Sequence, residues 1–152
     1  MSHFPFYINT KHLQILIVGA GNIALRRTKA LLPFFDRITV LSKDFKEEFF
    51  LLPKEKIHFI QKKAEEKDLS PYNTIIVCTD DSELNYKIYQ WTLKQNKLVN
   101  LCDRPDLCSF YFPSIIKDNE TTISISSGGD KKTTKRIRKH LNQFFKNEVP
   151  YD

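Results

Sequence analysis

A chain of 152 residues, 41% apolar and 28% charged, can close one hydrophobic core, and its composition excludes a disordered protein. The net charge of +6 is concentrated: residues 130–146 carry seven basic residues and one acid, and the remainder is neutral overall. No apolar run approaches the roughly 20 residues that span a bilayer, and no basic-then-apolar leader opens the chain. Three cysteines in no CxxC spacing argue against a disulfide framework or a zinc site and for a reducing cytoplasm.

Residues 13–18 form an unbroken apolar run, the pattern of a strand buried on both faces. Residues 22–35 predict a helix, with Ile23, Ala24, Ala30, Leu31 and Phe34 at helical spacing. A second strand is predicted over 37–41, and a helix over 44–52, stopped by Pro53. Third and fourth strands follow at 57–61 and 73–78. A helix then runs to about Gln95, opened by Asp80 and Asp81, of which Asp80 reads as the cap. Tyr86, Tyr89 and Trp91 have core spacing on it, and 98–101 is a fifth strand. This alternation predicts an α/β fold, a Rossmann-like doubly wound parallel sheet.

Beyond Asp103, residues 109–116 and 120–126 should pair as a hairpin across a tight connection. Gly128 and Gly129 precede a basic helix to about Lys146. The expected organisation is a dinucleotide-binding domain over 1–104, a hairpin segment over 105–129 and a basic helical segment over 130–152. A basic tail calls for an anionic partner, or serves only as a solvated face. It lacks aromatic interleaving or any nucleic-acid motif, so nucleic acid is not the expected partner. The four histidines are scattered without HxH or HxxxH spacing, which argues against a histidine metal site.

Gly19-Ala20-Gly21-Asn22-Ile23-Ala24 is a G-x-G-x-x-A pattern between a predicted strand and helix. The first glycine permits the turn, the second admits a pyrophosphate, and the small third residue lets helix and sheet approach. The helix N-terminus then offers unpaired N–H groups to the phosphates. At the end of the second strand, Ser42-Lys43-Asp44 offers a late acid for the adenosine ribose, or a helix cap. Ser42 and Lys43 also suit a 2′-phosphate, so NAD is favoured over NADP without excluding it. Thr79, Asn100 and Asp103 stand at the ends of the fourth and fifth strands, where an open sheet places its ligand. Cys102 and Cys108, which flank Asp103, read as packed thiols rather than metal ligands.

The ordered segments LIVGAGNIALRR, ITVLSKDF, VCTDDSELN, LVNLCDRPDLCSFYFPSII and ISISSGG resemble the precorrin-2 dehydrogenase family, the dehydrogenase/ferrochelatase module of siroheme synthase. The resemblance covers about residues 4–129. It implies oxidation of precorrin-2 to sirohydrochlorin with NAD, ferrous iron as a substrate of bifunctional members, and a homodimer built through the segment after the Rossmann domain. Position by position it implies that Gly19, Gly21, Asn22 and Ile23 meet the cofactor phosphates, and that Lys43 and Asp44 meet the adenosine side. Thr79 joins them on the cofactor side. Asp103 falls on the family's acidic catalytic residue, also its metal-insertion residue where chelation occurs. Asn100, Ser127 and Gly128, with Lys131 and Lys132, are expected to meet the acidic tetrapyrrole. After Gly129 this chain reads DKKTT where the family carries a hydroxyl residue and Ser-Pro, and it ends short of the family's helical region. A non-catalytic dinucleotide-binding sensor or assembly module is the alternative reading.

Overall fold

The structure, a computed structural model, describes residues 3–148. Five strands, β1 (Ile15–Val18), β2 (Ile38–Ser42), β3 (Ile57–Gln61), β4 (Thr74–Val77) and β5 (Leu98–Leu101), form one sheet. All neighbours are parallel, in the order β3-β2-β1-β4-β5. Every residue of β1 and β4 is buried, so their continuous apolar runs need cover on both faces. On one face Leu16, Val18, Leu41, Ile75, Val77, Val99 and Leu101 share a core with Leu69 and with Ile88 of α2 (Ser82–Lys94). Alternate residues Ile17, Val40 and Ile76 turn to the other face. Helix α1 (Asn22–Leu31) buries Ala24, Thr28 and Leu31, and the Thr28 hydroxyl is satisfied by the Ala24 carbonyl at 2.9 Å.

Several boundaries differ from expectation for identifiable reasons. Helix α1 stops at Leu31, not residue 35, because Pro33 has no N–H to extend it. The helix predicted over 44–52 is only a 3-10 turn, Glu47–Leu51. Phe45, Phe49, Phe50 and Phe59 pack edge-to-face and tilted there, with centroids 5.3–6.5 Å apart, and that cluster sets the backbone. The cap of α2 is Asp81, whose carboxylate accepts the Leu84 N–H at 2.9 Å; Asp80 makes no such bond. Tyr86, expected in the core, is 49% exposed.

The strand predicted from residue 109 begins only at Ser114, after Pro113. Ser109 instead lies against β5: its N–H donates to the Val99 carbonyl at 2.9 Å, and its hydroxyl accepts the Val99 N–H at 2.7 Å.

The chain divides into two compact units, Tyr7–Tyr111 and a second made of residues up to Phe6 and from Phe112 on. The break falls later than the boundary expected at 104, and hairpin and basic helix share one unit; the last four residues of the 130–152 segment lie outside the described residues. In the second unit β6 (Ser114–Asp118) and β7 (Thr121–Ile125) pair antiparallel, with Ile116 opposite Ile123. Their turn uses Asn119 at φ 46°, a left-handed conformation that asparagine tolerates. Helix α3 (Lys131–Glu148) packs against both strands. Among the described residues, no helix is long and apolar enough to cross a membrane.

Candidate functional site

The crossovers from β1 and β4 leave in opposite directions, so the carboxyl ends of these two neighbours form the topological switch point. Gly19 turns the chain there at φ 101°, and a Cβ on it would lie 2.7 Å from the Cys78 carbonyl oxygen. Only glycine lets the exit from β1 pass that close to the exit from β4. Gly21 caps α1 without a side-chain bond, and a Cβ on it would meet nothing within 4 Å. That emptiness has no packing reason. Together with the partnerless first-turn N–H groups of an α-helix, it leaves room and donors for an anionic group, which fits a dinucleotide diphosphate. Asn22 accepts a 2.7 Å hydrogen bond from the Lys46 ammonium, and the Lys46 N–H reaches the Ala20 carbonyl at 3.4 Å. Lys46 therefore brings a positive charge to the glycine turn; sequence reasoning missed it, although a lysine stands two positions past Asp44. Ile23 is 44% exposed on the first turn.

Lys43 and Asp44 are exposed in the turn after β2, and the Lys43 carbonyl accepts from the Gln61 amide at 3.1 Å. Lys46, not Asp44, begins the following 3-10 turn, so Asp44 has no capping role.

Across the switch point the groups are side chains. Asn85, 2% exposed on the inner face of α2, donates through Nδ2 to the Thr79 carbonyl at 3.1 Å and to Asp103 Oδ2 at 2.9 Å. Its Oδ1 accepts the Thr79 hydroxyl at 2.5 Å. The buried amide thereby ties the end of β4 to the end of β5 and fixes one oxygen of an otherwise exposed carboxylate. Sequence reasoning missed Asn85 too; its signal was an asparagine on the same helical stripe as Ile88 and Thr92. Asp103 is not a cap, since Arg104 opens the next 3-10 turn and pairs with Asp106 at 2.8 Å. Asn100, expected at the substrate, is buried in β5; its Nδ2 donates to the Phe110 carbonyl at 2.9 Å, and its Oδ1 has no partner among the described residues.

Cys78 and Cys102 lie side by side, with Cys78 buried and Cys102 half-buried. The bond between their thiols, then burial, pushes Cys78 up, whereas the same bond lowers Cys102 to about 7. Among the described residues no three His, Cys, Asp or Glu side chains are grouped to hold a metal. A separate cleft of about 450 Å³, lined by Gln14, Arg37, His58 and Tyr72, opens near the amino ends of the strands, the wrong end for a ligand of such a sheet.

The remaining predicted residues belong to the second unit. The Ser127 carbonyl accepts the Asp130 N–H at 2.9 Å, and Gly128 and Gly129 follow at φ 57° and 97°. Asp130 caps α3, accepting from the N–H groups of Lys132 at 2.9 Å and Thr133 at 3.1 Å and from the Thr133 hydroxyl at 2.7 Å. These bonds, the hydroxyl's first, hold its carboxyl below the usual range. Lys131 and Lys132 are exposed. The structure thus gathers Gly19, Gly21, Asn22, Ile23, Thr79 and Asp103 at the carboxyl end of one sheet, and places Ser127, Gly128, Lys131 and Lys132 in the other unit.

Comparison with known proteins agrees with this geometry. The siroheme synthase of Pseudoalteromonas atlantica is 34% identical over 151 residues, covering 99% of this chain and 32% of that protein. The siroheme synthase of Vesicomyosocius okutanii is 34% identical over 138 residues, 90% of this chain and 30% of that protein. The chain spans about a third of the length of these curated relatives. A solved structure, SirC, precorrin-2 dehydrogenase, superposes with a TM-score of 0.80 at 28% identity over 99% of this chain and 71% of that one. The family model described as "Putative NAD(P)-binding" matches residues 6–114. With that match spanning the whole parallel sheet and its glycine turn, the chain belongs to this NAD(P)-binding family.

Proposed function

We propose that this chain is an NAD-dependent dehydrogenase that oxidises precorrin-2 to sirohydrochlorin in siroheme biosynthesis. The observation that carries the reading is Asp103: an exposed carboxylate at the ligand end of the sheet, oriented by a buried amide, on the same sheet end as the glycine turn. The likeness to siroheme synthases and to SirC supports it. In this reading Gly19, Gly21, Asn22 and Ile23, with the α1 N-terminus and Lys46, hold the cofactor diphosphate. Asp44 takes the ribose hydroxyls, and its negative charge favours NAD over the 2′-phosphorylated form. Lys43 and Thr79 complete the cofactor side.

Bound NAD supplies the hydride acceptor. Asp103 takes the proton that leaves the tetrapyrrole, because a carboxylate within hydrogen-bond reach of that proton can act as general base. Its Oδ2 is occupied by Asn85, which leaves Oδ1 for that proton. Ser127, Gly128, Lys131 and Lys132 are assigned to substrate, whose carboxylates suit a basic helix, whereas buried Asn100 holds the chain after β5 through the Phe110 carbonyl. Charge reversal at Lys131 and Lys132 should raise KM for precorrin-2 severalfold, and added salt should shrink the difference. Ferrous-iron insertion, assigned to Asp103 as acceptor of the pyrrole protons, is assayed by adding the metal to sirohydrochlorin.

The protein is assigned to the cytoplasm and to a homodimer joined through the β6–β7 hairpin, since a two-stranded ribbon is marginal alone. Light scattering at micromolar concentration tests the dimer. The function itself is tested by mixing purified protein, precorrin-2 and NAD and following the sirohydrochlorin spectrum. Intact NAD binding without that product would replace the dehydrogenase by the non-catalytic sensor or assembly module.

A further inference from the structure

The ends of β4 and β5 carry a feature that the dehydrogenation does not use. The two strands pair in register with Val77 opposite Leu101, so the next residue of each is a cysteine, and the sulfurs of Cys78 and Cys102 lie 3.0 Å apart. That is about 1 Å beyond an S–S bond. Both thiols are free. Cys78 is buried, while Cys102 is half-buried and precedes the exposed Asp103. We propose that Cys78 and Cys102 form a dithiol site that reacts with an oxidant of the peroxide class and closes to a reversible disulfide between the ends of β4 and β5.

The two sulfurs have different roles. The contact with the Cys78 sulfur, opposed by burial and helped by the positive charge of Arg27, brings Cys102 down to about 7. A large share of Cys102 is then thiolate at neutral pH, the nucleophilic form. Its sulfur attacks a peroxide oxygen, the O–O bond breaks, and the departing hydroxide takes up a proton. Cys102 is left as a sulfenic acid. The Cys78 sulfur then displaces that hydroxyl, which leaves with the Cys78 proton as water. Two thiols have lost two electrons and one peroxide has become two waters. Cys108 is not the partner: its sulfur accepts the Leu101 N–H at 3.1 Å, faces the Leu101 carbonyl at 3.3 Å, and burial raises its pKa.

The bridge has a structural consequence because Thr79 follows Cys78, Asp103 follows Cys102, and Asn85 spans both. Drawing the sulfurs together displaces groups on both sides of that amide. The thiol chemistry stands apart from the proposed dehydrogenase reading and needs no turnover to be observed.

The test exposes purified protein to a few equivalents of hydrogen peroxide. In Cys108→Ser both remaining thiols should disappear from a thiol titration performed in denaturant, and dithiothreitol should return them. Fragmentation mass spectrometry of the unsubstituted protein should locate a Cys78–Cys102 link with the loss of two hydrogens. Cys78→Ser should stop at a sulfenic acid on Cys102, captured by dimedone, and Cys102→Ser should leave Cys78 reduced. A Cys102–Cys108 link in the unsubstituted protein would overturn the inference. So would thiols that survive the exposure in Cys108→Ser, or a Cys102 that proceeds to sulfinic acid without linking.

Discussion

The glycine turn after β1 and the ends of β4 and β5 lie on either side of one switch point, yet they are made of different material. The first is backbone: a left-handed glycine, an empty space where a Cβ would stand, and the open end of a helix. The second is side chain: a buried amide that joins a hydroxyl, a carbonyl and a carboxylate from two strands. A backbone site tolerates no added atom, whereas a side-chain site tolerates no removed one. The two halves should therefore fail in different ways when mutated.

The largest effect is expected at Gly19. Valine there combines a left-handed φ with a 2.7 Å clash against main chain, which has nowhere to yield. Denaturant unfolding should show a loss of more than about 2 kcal/mol, or no folded protein at all. Next comes Asp103→Asn, which keeps shape and removes basicity: turnover of precorrin-2 should fall by roughly 10²-fold while NAD binding by calorimetry is retained. Wild-type turnover in that variant would remove Asp103 from the mechanism.

Gly21→Val should separate the halves most cleanly. Its φ of −84° suits any residue and its Cβ meets no protein atom, so the melting temperature should hold. NAD affinity should drop by about tenfold or more, because the new side chain fills the space the diphosphate needs. Unchanged affinity in a folded Gly21→Val protein would move the cofactor elsewhere. The smallest effect belongs to Asn85→Ala, which frees the Asp103 carboxylate to turn. Here kcat should fall on the order of tenfold, with KM for NAD unmoved. A fall in melting temperature without the kcat effect would reduce Asn85 to a packing residue.

This difference of material also explains what the sequence disclosed. The glycine turn was legible because only glycine does what Gly19 does, and β1 and β4 were legible because strands covered on both faces must be apolar throughout. Asn85 and Lys46 were not, since each acts through a partner 18 or 24 positions away in the chain. The residues 44–52 misled for a related reason. Their pattern fits a short helix, but packing with Phe59 of β3 decides their backbone. Asp80 and Asp81 are adjacent acids that composition cannot rank, and only the position of Leu84 selects the second. The separation of Ser127, Gly128, Lys131 and Lys132 from the sheet domain was legible in the change of pattern after Asp103, but the grouping of hairpin and basic helix into one unit was not.

The loop that follows β5 has a consequence for assembly. Leu98 and Cys102 spend their N–H groups on the β4 side. The outward groups of Val99 are met by Ser109, and those of Leu101 by Cys108. An edge already answered by its own chain offers no template for a foreign strand. Growth of the sheet by strand addition is therefore barred at β5. Cys108 holds part of that barrier with a sulfur, so Cys108→Ala would reopen the outer edge at Leu101 without touching the glycine turn.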